Sequence, residues 1–231
     1  LRFDQWKYLQ SVIEEFYRIE KEEIYYSILP SVTQYARNSL FAGLLPSEIQ
    51  KRFPEYWVSE NEQGTKNQYE EQLLGEHIKR HGLDIKYSYN KVLNMNVGKK
   101  LADNISQLMR NDLNVIVYNF IDMLSHARTE MEVIKELAED ESAYRSLTLS
   151  WFEHSPLRDI VEALSEEDVK VVVTTDHGSV RVHHPVKIVG DRQTNTNLRY
   201  KVGRSLNYNK KEVFAVQEPG SVYLPRTNVS S

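Results

Sequence analysis

The chain has 231 residues, of which 40% are hydrophobic and 27% are charged, a balance typical of one globular domain rather than of a disordered or fibrous protein. It contains no cysteine, which excludes disulfides, thiolate zinc sites and cysteine nucleophiles. The sequence has no apolar run of the roughly 20 residues that a membrane span requires, and no recognisable signal peptide. We therefore expect a single cytoplasmic domain over residues 1–231.

The net charge of −4 is distributed unevenly. A basic segment, residues 181–211, carries eight basic side chains against the single acid Asp191, so its charge is +7 and the rest of the chain carries −11. A positive strip of this kind attracts anionic substrates. A solvated basic face is the alternative interpretation.

The first part of the chain alternates between helical and extended patterns. Apolar side chains recur every three or four residues over residues 3–19, which predicts an amphipathic helix of about five turns. Residues 24–29 are rich in isoleucine and tyrosine, which predicts a short buried strand. A second helix is expected over residues 33–42, closed by Gly43. The periodicity then fails, and residues 46–66 are interpreted as an irregular insertion.

The middle of the chain continues the alternation. The patterns predict helices over residues 69–80, 99–110, 129–139 and 144–164, the last broken at Pro156, and strands over residues 85–89 and 113–120. Strands that alternate with helices of 10–15 residues indicate βαβ units around a largely parallel sheet. The predicted fold class is therefore α/β.

A β-branched run over residues 171–175 predicts a strand that ends at Asp176 and His177. Such a strand would present a carboxylate and an imidazole at its carboxyl end, where ligands gather in open α/β sheets. Asp and His are ordinary zinc ligands, although this dipeptide also caps turns. Beyond it, short strands are expected over residues 180–183, 186–189 and 212–217.

Two further places stand just beyond predicted strands. Thr33 lies at a helix start, where free N–H groups and the helix dipole favour an anion or a deprotonated oxygen. Asp122 and His126 share one face if their segment is helical, and can then hold one metal ion. Two ions beside a hydroxyl nucleophile form a site for phosphoryl transfer. The alternatives are a capping Thr33 or Asp122 and a surface His126.

Four segments in this order resemble the alkaline phosphatase superfamily. Residues 31–46 are similar to its nucleophile-threonine region, and the pair Asp122 and His126 and then residues 175–178 are similar to its two following metal motifs. Residues 190–201 resemble the PglZ branch, and the nearest likeness is to the effector domain of PorX-type response regulators. The resemblance spans nearly the whole chain and implies an alkaline-phosphatase-like parallel sheet flanked by helices.

The resemblance also implies a site with two zinc ions. Thr33 would be the nucleophile and a metal-bridging hydroxyl; one zinc would be bound by Asp122 and His126, the other by Asp176 and His177. In the basic segment we expect a structural or substrate-orienting role for three arginines, whose guanidinium groups can bind two phosphate oxygens at once. These are Arg192, Arg199 and Arg204.

Members of the superfamily carry two further metal ligands near the ends of the domain. One is an Asp shortly before an Arg like Arg2, and the other is a His beyond the position of Ser231. We therefore expect this chain to be an internal fragment of a longer protein, truncated at both ends.

The sequence thus favours a zinc-dependent phosphohydrolase. The preferred hypothesis is a phosphodiesterase for nucleotide or oligonucleotide phosphodiesters, acting as the output domain of a bacterial response regulator with an upstream receiver domain. A homodimer and other signalling partners are compatible with it. A phosphomutase remains open, whereas a sulfatase is disfavoured because that branch commonly uses a modified Cys or Ser.

A hypothesis of a different class is a non-catalytic regulatory domain that keeps the phosphatase fold and acts through protein partners. The aromatic-rich stretch around Phe53, Tyr56 and Trp57 would suit a partner surface or a lid. The alternative is that this stretch packs on its own domain.

Overall fold

The computed structural model describes residues 1–59, 65–180 and 182–226, so Arg181, the first residue of the basic segment, lies outside the described residues. The chain divides into two compact units. Unit 1 comprises Leu1–Tyr25 and Asp84–Thr175, and unit 2 comprises Tyr26–Leu83 and Asp176–Ser231.

Helices make up most of the regular structure in the described ranges. In chain order they are α1 (Phe3–Ile13), α2 (Thr33–Ala42), α3 (Pro46–Arg52), α4 (Glu70–Arg80), α5 (Met95–Asp103), α6 (Ile105–Leu108), α7 (Phe120–Glu130), α8 (Glu132–Leu137), α9 (Glu141–Glu153) and α10 (Pro156–Ser165). The strands are β1 (Tyr87–Val92) and β2 (Leu113–Tyr118), and short 3₁₀ helices cover Pro54–Tyr56 and Pro219–Val222. None of the helices in these ranges combines the length and the apolar character needed to cross a membrane.

The two strands of unit 1 form a parallel pair. The register runs from Tyr87 opposite Leu113 to Val92 opposite Tyr118, and α5 and α6 lie between the strands in the sequence. Parallel strands need such a crossover connection, because the chain must return to the same end of the sheet, whereas a tight turn joins antiparallel strands. The predicted α/β class with parallel pairing and flanking helices is confirmed. The strands predicted over residues 85–89 and 113–120 correspond to β1 and β2, with ends that differ by at most three residues.

Helix α1 packs against α9 and α10 in the main apolar cluster of unit 1. Leu9, Val12 and Ile13 are buried there with Phe152 and Val161. The prediction of five helical turns over residues 3–19 is wrong, because α1 ends at Ile13. Phe16, which follows Ile13 in the apolar spacing, still packs on this cluster from a turn. The spacing at this position therefore reflects burial, which a turn can also satisfy.

The predicted break at Pro156 is confirmed. Helix α9 ends at Glu153, and Pro156 is the first residue of α10, with Ser155 at the N-cap. Proline lacks a backbone N–H and cannot continue a helix, but the first helical position needs no such donor. The same preference explains α3, which begins at Pro46 inside the segment predicted to be irregular. That prediction for residues 46–66 is therefore wrong in its first part.

Two predicted strands are absent from the described residues. Residues 24–29 and 171–175 have no partner strand, and Val171, Val172 and Val173 are 40%, 83% and 49% exposed. A β-branched run favours an extended backbone, but a strand exists only where a second strand accepts its hydrogen bonds. The prediction of a buried strand is therefore wrong for both segments.

The predicted region of short strands after Gly178 is also wrong for the residues that the structure covers there. Its regular pairing consists of one isolated antiparallel bridge between Val189 and Asn207, and residues 212–217 form no strand. Runs of only three or four alternating residues bury too little side-chain surface to fix a ladder by themselves.

A charged network joins three helices of unit 1. Arg2 donates to both carboxylate oxygens of Asp4, at 2.9 and 2.6 Å, and forms an ion pair with Glu141. Arg128 donates to Glu141 at 3.0 Å, and Arg145 donates to Asp4 at 3.2 Å. Partial burial opposes ionisation, but the arginine hydrogen bonds outweigh it and lower the pKa of both Asp4 and Glu141.

We expect this network to make unit 1 sensitive to acid. A carboxylate whose pKa is lower in the folded state contributes stability above its unfolded pKa of about 4, and loses it as the pH falls through the folded value. The double variant Asp4→Asn, Glu141→Gln should therefore show a smaller loss of urea-unfolding midpoint between pH 7 and pH 3 than the unaltered protein. The control is Glu153→Gln at an exposed position of α9. An equally steep acid limb in the double variant would contradict the prediction.

Candidate functional site

Helix α2 carries the predicted nucleophile at its first position. The structure reproduces the predicted bounds, Thr33–Ala42, and Gly43 closes the helix in the left-handed conformation with φ 58°. The N-cap is Val32, whose backbone is extended and whose side chain makes no capping hydrogen bond. Thr33 is therefore a first-turn residue and not the N-cap, so the interpretation of its hydroxyl as a cap is wrong.

The hydroxyl of Thr33 contacts the imidazole of His177. The distance from Thr33 Oγ1 to His177 Nε2 is 3.1 Å, and His177 Nδ1 lies 3.0 Å from the carbonyl oxygen of Gly178. A carbonyl only accepts, so the tautomer that satisfies this contact carries its proton on Nδ1 and presents the Nε2 lone pair to the hydroxyl. In that tautomer Thr33 donates a hydrogen bond to His177 Nε2.

Asp176 adds a carboxylate to the same place. Its Oδ2 atom lies 3.8 Å from His177 Nε2 and accepts a hydrogen bond of 3.1 Å from Arg37 Nε. Its backbone carbonyl accepts from the hydroxyl of Ser27 at 2.8 Å. The side chains of Asp176 and His177 are only 12% and 13% exposed. The dipeptide is therefore held from both its side chains and its backbone.

The guanidinium of Arg37 links Asp176 to a second carboxylate, that of Glu70. Arg37 Nη1 lies 3.6 Å from Glu70 Oε1, and the side chain of Glu70 is 1% exposed. Two carboxylates around one guanidinium leave a formal charge of −1 in this group. Sequence patterns did not single out Arg37 or Glu70, because an Arg in a helix and a Glu in a first helical turn are ordinary surface features.

Arg199 reaches the site from the basic segment, as expected. Its Nη1 donates to the backbone carbonyls of Ser31 and Gly178, the latter at 3.2 Å, and lies 3.4 Å from His177 Nδ1. Arg199 therefore ties the segment before Thr33 to the segment after His177. Arg192 and Arg204 are exposed residues of unit 2, and their substrate-orienting role stays a prediction.

Two buried asparagines support the backbone of the nucleophile. Asn67 Nδ2 donates to the carbonyl of Thr33 at 3.0 Å and to Asn38 Oδ1 at 3.1 Å, and Asn38 Nδ2 donates to the carbonyl of Lys66 at 3.2 Å. Asn38 and Asn67 are 1% and 8% exposed. Buried amides persist where they satisfy backbone groups. The only sequence signal was an unfavourable Asn inside a predicted helix.

The other predicted metal pair belongs to unit 1. Positions 122 and 126 lie one turn apart on α7, so the condition that their segment is helical is met. The side chain of Asp122 lies outside the described part of the structure, and His126 is exposed. A shared site of this pair with Thr33, Asp176 and His177 stays a prediction.

The donor atoms in unit 2 fit one zinc ion in part. Among the described residues no group of three or more His, Asp and Glu side chains could hold a metal. Thr33 Oγ1 and Asp176 Oδ2 lie 3.1 and 3.8 Å from His177 Nε2, close to the spacing of about 3.3 Å between atoms that share a tetrahedral zinc at about 2 Å. One hydroxyl, one carboxylate and one imidazole are thus present, and the set is incomplete.

The aromatic stretch packs on its own unit. Trp57 is 6% exposed, and its ring centroid lies 5.6 Å from that of Tyr35 on α2. Phe53 stacks on Tyr56 at 6.0 Å, and Tyr56 contacts Tyr69 at 5.5 Å. For Trp57, the structure favours packing within the unit over exposure as a partner surface.

One family model matches nearly the whole chain. A family model described as the BREX system PglZ alkaline phosphatase-like domain matches residues 1–229. The search of curated proteins gave no match. The family match covers nearly the whole chain and gives it a phosphoesterase-type fold.

Proposed function

The chain belongs to the PglZ family of alkaline phosphatase-like domains, and from this premise we propose that it is a zinc-dependent phosphohydrolase that cleaves phosphodiesters. The observation that carries the proposal is the contact of 3.1 Å between Thr33 Oγ1 and His177 Nε2, with the Asp176 carboxylate beside it. Nucleophilic phosphoryl transfer needs a hydroxyl group held in a fixed direction within a partly buried, charged site.

In the proposed reaction Thr33 Oγ1 gives its proton to water and attacks the phosphorus atom, since the Nε2 lone pair of His177 would be used for zinc in the loaded site. A P–O bond to the leaving alkoxide breaks, the leaving oxygen takes up a proton from water, and the phosphoryl group stays on Thr33 until water releases it. The Gly178 carbonyl, which accepts from Nδ1–H, keeps the imidazole in the tautomer that leaves Nε2 free to bind a metal. Asn67 holds the Thr33 backbone, so that the hydroxyl keeps its direction.

We assign one zinc to Thr33, Asp176 and His177 and the second to Asp122 and His126. When bound, the ions supply positive charge that favours the deprotonated nucleophile and offsets charge on the phosphoryl oxygens. The Asp176 carboxylate, 3.8 Å from His177 Nε2, offers an anionic oxygen to a cation at this place.

The substrate in this proposal is a nucleotide or oligonucleotide phosphodiester. Two observations support this choice. The basic segment is positively charged, and one of its residues, Arg199, lies with its Nη1 atom 3.4 Å from His177 Nδ1. A role as the output domain of a response regulator, with an upstream receiver domain, belongs to the same proposal. It predicts that phosphorylation of that receiver changes the hydrolysis rate.

The complete protein should hydrolyse bis(p-nitrophenyl) phosphate faster than p-nitrophenyl phosphate, and only with its metal. Treatment with a zinc chelator should lower kcat by about 100-fold or more, because the charge on the transferred group then loses its main counter-charge. Zinc added back should restore the rate, whereas magnesium should not. The measurement is release of p-nitrophenolate.

Two results would contradict the proposal. A rate unchanged by chelation would remove the zinc requirement. No hydrolysis in any metal, with partner binding intact, would favour the non-catalytic regulatory domain.

A further inference from the structure

We propose that Arg37 is a positioning residue, which orients the Asp176 carboxylate for metal binding and is itself fixed by the buried carboxylate of Glu70. The inference rests on the proposed function, because it takes Asp176 as a ligand. It adds two residues that neither the sequence motifs nor the family match singles out.

Helix α2 carries both Thr33 and Arg37. Thr33 and Arg37 are four residues apart and therefore share one face of the helix, one turn from each other. The same rigid element thus carries the nucleophile and the guanidinium that holds Asp176. Any rotation of α2 would move both together, which keeps the hydroxyl and the carboxylate in register.

The guanidinium of Arg37 contacts two carboxylates through different nitrogens. Arg37 uses Nε for Asp176 Oδ2, at 3.1 Å, and presents Nη1 to Glu70 at 3.6 Å. The guanidinium is planar and rigid, so contacts at these two nitrogens fix its orientation and hence the direction of the bond to Asp176. A lysine at this position keeps the charge but has a flexible point donor, and cannot fix two carboxylates at once.

The side chain of Glu70 is buried. It is 1% exposed, and a carboxylate in such a place is stable only with a cationic or hydrogen-bonding partner. Arg37 is 11% exposed and is such a partner. These contacts assign Arg37 to the support of Asp176, whereas Arg199 of the basic segment donates to the backbone carbonyls of Ser31 and Gly178.

The two carboxylates differ in exposure. Asp176 is 12% exposed against 1% for Glu70, and it lies 3.8 Å from His177 Nε2. Arg37 pairs with the buried carboxylate of Glu70, and the carboxylate of Asp176 lies on the side of the imidazole, where a cation can reach it.

The test uses Arg37→Lys in the complete protein, with Arg52→Lys as the matched control. Arg52 pairs with Glu48 on the surface of α3 at 3.3 Å and is 51% exposed. Zinc affinity is measured by competition with a chromophoric chelator, and kcat and KM are measured with bis(p-nitrophenyl) phosphate. Arg37→Lys should weaken zinc binding by about tenfold and lower kcat by about 10- to 100-fold with KM unchanged, since loss of an outer-shell partner has effects of this size. Arg52→Lys should change neither.

Two further variants keep the test decisive if Arg37→Lys folds poorly. Glu70→Gln keeps the shape of the side chain, leaves the Arg37–Asp176 hydrogen bond available and should weaken zinc binding in the same direction by a smaller factor, compared with Glu48→Gln as control. In an Asp176→Asn background, Arg37→Lys should have no additional effect on zinc affinity, because its influence passes through Asp176.

The outcomes separate this inference from the proposed function. If the unaltered protein neither binds zinc nor hydrolyses the diester, both are overturned. If it does both and Arg37→Lys lowers only the melting temperature, Arg37 is structural and the positioning role is wrong while the proposed function stands. A higher zinc affinity in Arg37→Lys would show that Arg37 competes with the metal for Asp176, which also overturns the inference.

Discussion

Replacement of Thr33 by alanine is expected to lower kcat for bis(p-nitrophenyl) phosphate by about 10³-fold or more, since the hydroxyl that forms the covalent intermediate is removed. The fold should survive this change. Val32, and not Thr33, is the N-cap of α2, and alanine has the higher helix propensity. The hydrogen bond from Asn67 goes to the backbone carbonyl of residue 33 and is retained. Circular dichroism and thermal melting check this point.

Two companion variants define what the Thr33→Ala result means. Thr33→Ser keeps a hydroxyl and should retain measurable phosphodiesterase activity and an acid-stable phosphoenzyme on rapid quenching. Thr65→Ala removes a threonine from an exposed position of the same unit and should leave kcat unchanged. Full activity in Thr33→Ala would remove Thr33 from the mechanism and, with it, the main support for the proposed reaction.

Replacement of His177 by alanine should weaken zinc binding and lower kcat by about 100-fold or more, because it removes the imidazole of the assigned zinc set. The physical reason is that one nitrogen, Nε2, both faces the Thr33 hydroxyl and supplies the imidazole of the assigned zinc set. Turnover of the diester and zinc titration of the complete protein measure the two effects separately.

The control for this variant is His154→Ala. His154 is exposed at the end of α9, where its ring contacts the Ser150 carbonyl at 2.8 Å, and its loss should not affect kcat. Imidazole added to the His177→Ala protein should restore part of the rate, because a free imidazole can occupy the space left by the ring. Unchanged turnover in His177→Ala, or equal losses in both variants, would show that His177 has no special role.

The position of Thr33 could be predicted because its cause is local. The apolar spacing of residues 33–42 and a glycine at position 43 specify a helix and its end, and the structure has the same bounds. The break at Pro156 was predictable for the same reason. Each depends on residues within about one turn of the position concerned.

The support of the site could not be predicted, since its members are far apart in the sequence. Arg37 and Asp176 are separated by 139 positions, and Asn67 reaches Thr33 over 34. Each of these residue types is common on a helix or in a loop, so its local sequence gives no sign of a role in the site. Only the packing of α2 on α4 and the return of the chain at Asp176 bring them into contact.

The pairing of the strands also depended on the tertiary structure and not on local composition. Residues 171–175 have the composition of a buried strand, yet Val172 is 83% exposed, whereas residues 87–92 are less apolar and pair fully with 113–118. The sequence by itself determined the α/β class, the bounds of α2, the break at Pro156 and the order of the chemical motifs, because these follow from backbone preferences of neighbouring residues. The tertiary structure alone decided which extended segments pair and that Thr33, His177, Asp176 and Arg37 meet, because hydrogen bonds and ion pairs between distant residues form only when the packed chain brings their atoms together.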